Sequence, residues 1–219
     1  LTNASDAIDV FDVDMPRTNA YAARGWLADL SKTFPNLSSV VDPASLGAAT
    51  VDGKLVAMPY QTSTNIMYYN VDLLNAAGIA LPSADPTQRL TWETVAADAA
   101  KAQAAGAPYG IIFDQIDRYY QLQPLAMSAG GGAGAVGEGN LEPDVDNPGW
   151  TKAFTWYGKL FADGLSPRGV AVAETPDMFL AGQTAYYVGG PWWAGMFAAD
   201  ANLNFGVAPF PAFEGGEAS

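Results

Sequence analysis

Val51-Asp52-Gly53-Lys54-Leu55-Val56-Ala57-Met58-Pro59-Tyr60 runs into Gln61-Thr62-Ser63-Thr64-Asn65 and then into Ile66-Met67-Tyr68-Tyr69-Asn70-Val71-Asp72-Leu73-Leu74. Asp52-Gly53 between short β-formers predicts a tight hairpin turn. The segment 58–64 reads as an extended polar link, 66–69 as a short apolar strand, and 71–77 as a helix stopped by Gly78. A polar run between two apolar ones is either an exposed loop or the floor of a cleft. The tyrosines and Asn70 that follow favour the cleft. The same run, at 59–65, is the best-marked crossing between two structural regions.

Outward from this stretch, strand and helix signals alternate. Upstream, 8–13 alternates apolar and acidic residues and predicts a strand, 19–30 a helix broken at Gly25, and Asp42-Pro43 the start of a short helix. Downstream, Thr91 caps a long helix over 92–105, with Glu93 near its positive end. Tyr109-Gly110-Ile111-Ile112-Phe113 predicts a buried strand and 119–127 a helix. Helix 149–162 is expected to turn Trp150, Phe154, Tyr157 and Phe161 to one face. A helix over 175–181, a strand over 184–188, a helix near 192–199 and a strand at 205–207 complete the pattern. The alternation predicts an α/β protein with a largely parallel sheet.

Composition narrows the chemistry. The chain has 219 residues, 49% of them hydrophobic, enough for a substantial core. With 10 basic against 23 acidic residues the net charge is -13, which argues against nucleic-acid binding and against a polybasic membrane anchor. It contains no Cys and no His. That removes disulfides, thiolate and imidazole metal sites, and any Ser-His-Asp triad. No cofactor and no metal is expected. The carboxylates, amides, hydroxyls, 6 Trp and 10 Tyr that remain suit recognition of neutral polyols. No signal peptide and no apolar run long enough to span a bilayer is visible. Both ends read as cuts within a longer protein.

Some motifs carry little. Gly132-Ala133-Gly134-Ala135-Val136-Gly137 has the G-x-G-x-x-G spacing, but a helix precedes it where a dinucleotide site needs a strand, so a flexible loop is expected. Glu142, Asp144 and Asp146 alternate as in a calcium loop but lack its glycine turn and distal glutamate. Other features say more. Asp12 and Asp14 lie near the end of the first expected strand, where α/β sheets bind ligands. Asp14 either accepts sugar hydroxyls or caps the next helix. Gly189-Gly190-Pro191-Trp192-Trp193 sits at a strand-to-helix turn, which projects Trp192 as a plane for a pyranose ring and leaves Trp193 to core or rim. Tyr119 and Tyr120 open a helix past another strand end, and one of them is a candidate site aromatic.

These pieces assemble into a known pattern. Gly53-Lys54-Leu55-Val56-Ala57-Met58-Pro59-Tyr60 with Met67-Tyr68-Tyr69-Asn70-Val71-Asp72 resembles the signature of bacterial extracellular solute-binding proteins of the maltose-binding type. Thr91-Trp92-Glu93, Phe179-Leu180-Ala181-Gly182-Gln183-Thr184-Ala185, Gly189-Gly190-Pro191-Trp192, and the pairing of 8–14 with Gly25-Trp26-Leu27-Ala28-Asp29-Leu30 agree in order. Each motif alone is weak, and their order over nearly the whole chain is what carries the resemblance.

The resemblance implies a two-lobed, periplasmic-binding-protein-like (type II) α/β fold, incomplete at both ends. Residues 1–62 would be part of the N-terminal lobe and 63–219 most of the C-terminal lobe. It implies a non-enzymatic component of an ABC importer, periplasmic or extracellular, with a lipid anchor as one form of tether. Its partners would be a sugar or related polyol held between the lobes and the permease subunits; the protein would be monomeric. Carried onto this chain, the ligand-binding residues are Asp14, Gln61, Ser63, Thr64, Tyr120 and Trp192, with Arg17 a minor candidate. The alternatives are a carbohydrate-active hydrolase that uses carboxylates alone, for which Asp14 and Asp114 are the available acid pair, and an acidic interaction domain.

Overall fold

A computed structural model of the chain describes residues 8–114 and 118–216. They fall into two compact units, one of Leu1–Thr62 with Val136–Glu142 and one of Ser63–Ala135 with Pro143–Ser219.

The first unit holds helix α1 (Met15–Ala23), helix α2 (Pro43–Ala48) and a hairpin of β1 (Thr50–Val51) and β2 (Lys54–Leu55). The hairpin pairs Thr50 with Leu55 across Asp52 and Gly53, both at positive φ (51° and 72°). This is the twist a two-residue turn requires, and glycine adopts it freely. Asp42 caps α2 by accepting the Ser45 N–H at 2.9 Å. The strand expected over 8–13 is not formed. Val10 is 88% exposed, and among the described residues no strand lies beside it, so its backbone groups have no ladder to join. Helix α1 also starts and stops earlier than the expected 19–30, because Pro16 favours the first turn and Gly25 turns left-handed (φ 69°) just past its end.

The second unit is built on a four-stranded sheet in the order β4-β5-β3-β6, with β3 Ile66–Asn70, β4 Tyr109–Phe113, β5 Thr184–Gly189 and β6 Phe205–Pro209. Strand β5 runs parallel to β4, while β3 is antiparallel to both β5 and β6. The sheet is therefore mixed, not largely parallel as expected. Three strands share one direction, and β3, placed between two of them, runs against them. Strand–helix alternation sets direction only when each crossover returns to a neighbouring position. Here β4 lies two places away from β3.

Side chains alternate across the sheet at period two. Met67, Tyr69, Ile111, Phe113, Tyr186 and Val188 face a large core with α3 (Val71–Ala76), α4 (Trp92–Ala104) and α6 (Pro148–Ala162). Tyr68, Ile112 and Tyr187 face a smaller one with α7 (Thr175–Leu180) and α8 (Ala194–Ala199). Caps arise from local chemistry: Asn70 accepts the Leu73 N–H at 3.0 Å, and Thr91 that of Thr94 at 3.1 Å. In α6 the buried positions are Gly149, Trp150, Ala153 and Leu160, while Phe154 is 46% exposed. The small Ala153 marks the packed stripe, which residue size had concealed.

Burial of four phenols has a measurable consequence. Desolvation raises the pKa of Tyr157, of Tyr186 and of Tyr187, where the charge of Asp114 adds to it, and pushes Tyr68 up to about 12 for the same two reasons. In the unfolded chain these phenols ionise near 10. Their contribution to stability is therefore complete below about pH 10 and is lost as pH rises towards 12. Absorbance titration at 295 nm is expected to show fewer ionised tyrosines at pH 11 in the native protein than in denaturant, with stability falling above pH 10. Coincident titration curves would contradict this.

Candidate functional site

The register brings the candidate residues of the second unit to one end of the sheet. Ile66, which opens β3, pairs with Gly189, which closes β5, and Phe113 at the end of β4 pairs with Val188. Segments 63–65, 114 and 190–193 therefore meet at this edge.

Asp114 is its hub. Its backbone N–H donates to Val188 O at 2.7 Å, extending the β4–β5 ladder by one bond. The side chain is fully buried. Its Oδ2 accepts from Trp192 Nε1 at 3.1 Å and from Trp193 Nε1 at 2.7 Å, and Oδ1 accepts from the Thr175 hydroxyl at 3.3 Å. The Tyr68 hydroxyl donates to Gly190 O at 2.8 Å and pins the turn from below.

Pro191–Trp193 forms a single 3-10 turn that leads into α8. It folds the Trp192 ring back over Gly190, where a Cβ would overlap the indole. The glycine's value here is close approach, since its φ of -104° is open to any residue. Trp192 stays 39% exposed. Tyr120, half-buried at the start of α5 (Tyr119–Ser128), meets it edge to face with ring centres 6.4 Å apart and planes at 88°. Asn65 is buried and donates to Tyr120 O at 2.7 Å, fixing the start of α5 to the start of β3.

Of the residues expected to bind ligand, Tyr120 and Trp192 are brought together, and Ser63 and Thr64 are exposed just before β3 at the same sheet end. Asp14 and Gln61 belong to the first unit, and both are exposed. Asp14 occupies the N-cap position of α1 without a side-chain capping bond; its carbonyl accepts the Arg17 N–H at 2.9 Å. The Tyr119 side chain lies outside the described set. Sequence reasoning left Trp193 to core or rim and named Asp114 only as half of a hydrolytic pair. The available signal was an acidic residue directly after the all-apolar strand Tyr109–Phe113. Asp114 is unsuited to acid–base work, because three donors occupy its oxygens and it is shut from solvent. The hydrolase reading is not supported. Among the described residues no three acidic side chains gather closely enough to hold a metal ion, and no helix is long and apolar enough to cross a membrane.

Three comparisons bear on this geometry. The profile of a family described as bacterial extracellular solute-binding protein matches residues 2–219. The chain is 29% identical over 218 residues to the maltodextrin-binding protein MdxE of Bacillus subtilis, covering 98% of this chain and 50% of that protein. Among solved structures it is similar to the ABC substrate-binding protein Lmo0181 of Listeria monocytogenes in complex with cycloalternan (TM-score 0.72, 26% identity, 90% of this chain and 50% of that one). It is also similar to the GacH receptor of Streptomyces glaucescens, solved unliganded and with acarbose (TM-score 0.74, 25% identity, 93% and 52%). The chain thus spans about half the length of the relatives it matches. Its fold is that of the corresponding part of two-lobed sugar-binding proteins.

Proposed function

Because the chain belongs to the family of bacterial extracellular solute-binding proteins, we propose that it captures a sugar or related polyol for an ABC importer, outside the cytoplasmic membrane. The carrying observation is the Trp192 plane. Its six-membered ring lies against Gly190, its N–H is bound to Asp114, Tyr120 meets it edge to face, and the side chain stays 39% exposed. A ring so held offers its π-face to the C–H face of a pyranose, while Ser63, Thr64 and Asn65 supply polar groups at the same sheet end. Asp14 and Gln61 of the first unit are proposed as further hydroxyl partners. The permease subunits are the proposed protein partner, the working form a monomer with no cofactor, and a lipid anchor the proposed tether. The 1–62 and 63–219 regions are proposed as parts of the N- and C-terminal lobes. Relatives with names that specify maltodextrin, cycloalternan and acarbose favour α-linked glucose oligomers as the first ligands to try. Isothermal titration with maltose, maltotriose, a cyclic α-glucan and a galactooligosaccharide tests the proposal. Saturable binding of at least one is expected, and heats indistinguishable from dilution for all of them would end it.

A further inference from the structure

The charge of Asp114 is unusual for what the geometry alone requires. Its side chain is fully buried, and the donors around it (Trp192 Nε1, Trp193 Nε1, and the Thr175 and Tyr187 hydroxyls) are all neutral. The ion pairs among the described residues join Lys101 to Asp98, Lys152 to Glu93 and Lys159 to Asp163, and none includes Asp114. Hydrogen bonds thus satisfy the carboxylate without cancelling its charge.

An amide would serve the same geometry. The oxygen of an asparagine would accept from both indoles, and its NH2 would donate to the Thr175 oxygen, whose one proton would then go to Val172 O, 3.0 Å away, in place of the carboxylate. The charge is therefore the one property that aspartate adds. It acts on the plane above it in two ways. Its field reaches the open face of Trp192 through a poorly screened interior. An indole N–H that donates to a carboxylate is also polarised, which reinforces the negative face that attracts cations.

We infer that Asp114 is the charge-selecting residue of this platform. The site takes saccharides that carry a protonated amine in preference to neutral ones, and neutral ones in preference to those that carry phosphate or carboxylate. The inference rests on the sugar-binding reading above and names the charge class of that ligand. Asp114 does not face the ligand; it is a positioning residue that acts through the two indoles. The net charge of -13 on the whole chain pushes the same way, but exposed charges are screened over about 3 Å in 1 M salt, whereas a buried carboxylate is screened much less.

The test uses matched disaccharides on the full chain: 6′-amino-6′-deoxymaltose, maltose and maltose 6′-phosphate, titrated calorimetrically at pH 7 in 0.15 M and 1 M salt. The wild type is expected to bind in that order, each step about tenfold or about 1.4 kcal/mol, with the order persisting at 1 M. Asp114→Asn is expected to compress both steps to within about twofold whatever its absolute affinity for maltose; a purely structural role for the carboxylate would shift all three ligands together and keep the ladder. Phosphate and neutral ligands bound equally by the wild type, or the full ladder retained in Asp114→Asn, would overturn the inference. If the variant does not fold, the wild type still decides: a ladder abolished at 1 M salt belongs to the overall charge and overturns the assignment, and one that persists supports it. A wild type that binds none of the three overturns the sugar-binding reading with it. One that binds maltose in the wrong order overturns only the selectivity.

Discussion

Trp192→Ala is expected to weaken sugar binding by about 2 kcal/mol, roughly 30-fold in Kd, and to leave the fold almost unchanged. The magnitude follows from area: a pyranose covering about 80 Å² of ring at about 25 cal/mol per Å² gives about 2 kcal/mol. Stability changes little because the ring is partly exposed, and Asp114 keeps its bonds from Trp193 and Thr175. Gly190→Ala is the companion variant. It keeps the indole but puts a methyl where the ring lies, so the ring must swing away from Asp114. Its affinity is expected to fall nearly as far as that of Trp192→Ala. Calorimetric titration with the tightest ligand of the panel, alongside a thermal melt, checks both. If Trp192→Ala bound as tightly as the wild type, the ring would have no part in the site.

Trp92→Ala carries the largest expected loss of stability, about 3–5 kcal/mol. The residue is fully buried, with ring centres 4.9 Å from Trp156, 5.0 Å from Phe210 and 5.6 Å from Phe113. It sits at the first turn of α4, where its backbone N–H also donates to Ala212 O at 3.0 Å. Alanine leaves a cavity walled by rings that cannot collapse into it. Against a typical total of about 5–15 kcal/mol, that is enough to leave a substantial unfolded population at 37 °C. Trp92→Phe is expected to cost much less, because it fills most of the space and removes a buried indole N–H that has no partner. Denaturant melts of the three proteins measure this, and an alanine variant within about 1 kcal/mol of the wild type would contradict the packing account.

What the sequence disclosed was local. Asp52-Gly53, Thr91 and the Asp42-Pro43 pair each announce a turn or a cap locally, and each forms as read; the cap that Asn70 places on the next helix had not been read. Relations between distant segments were less legible. The reversed direction of β3 depends on which strands flank it, and nothing within residues 66–70 records that. The 8–13 segment has strand-like alternation, yet alternation does not supply a neighbour. In the candidate site, the projection of Trp192 was legible because Gly189-Gly190-Pro191 breaks the strand immediately before it. The bonds from its indole and that of Trp193 to Asp114 span 78 and 79 positions and could not be read from spacing.

That separation governs how the platform comes into being. Asn65 bonds to the backbone of Tyr120, 55 positions away, and Thr175 reaches Asp114 across 61. No hairpin or single helix can preassemble such a set. Contacts of this range form only after the chain entropy of long loops has been overcome, late and together with the sheet. Recovery of ligand binding in a refolding experiment should therefore lag the return of helical signal and coincide with closure of β4 on β5. Assembly of the Trp192 platform is thus a clock for the completion of the topology.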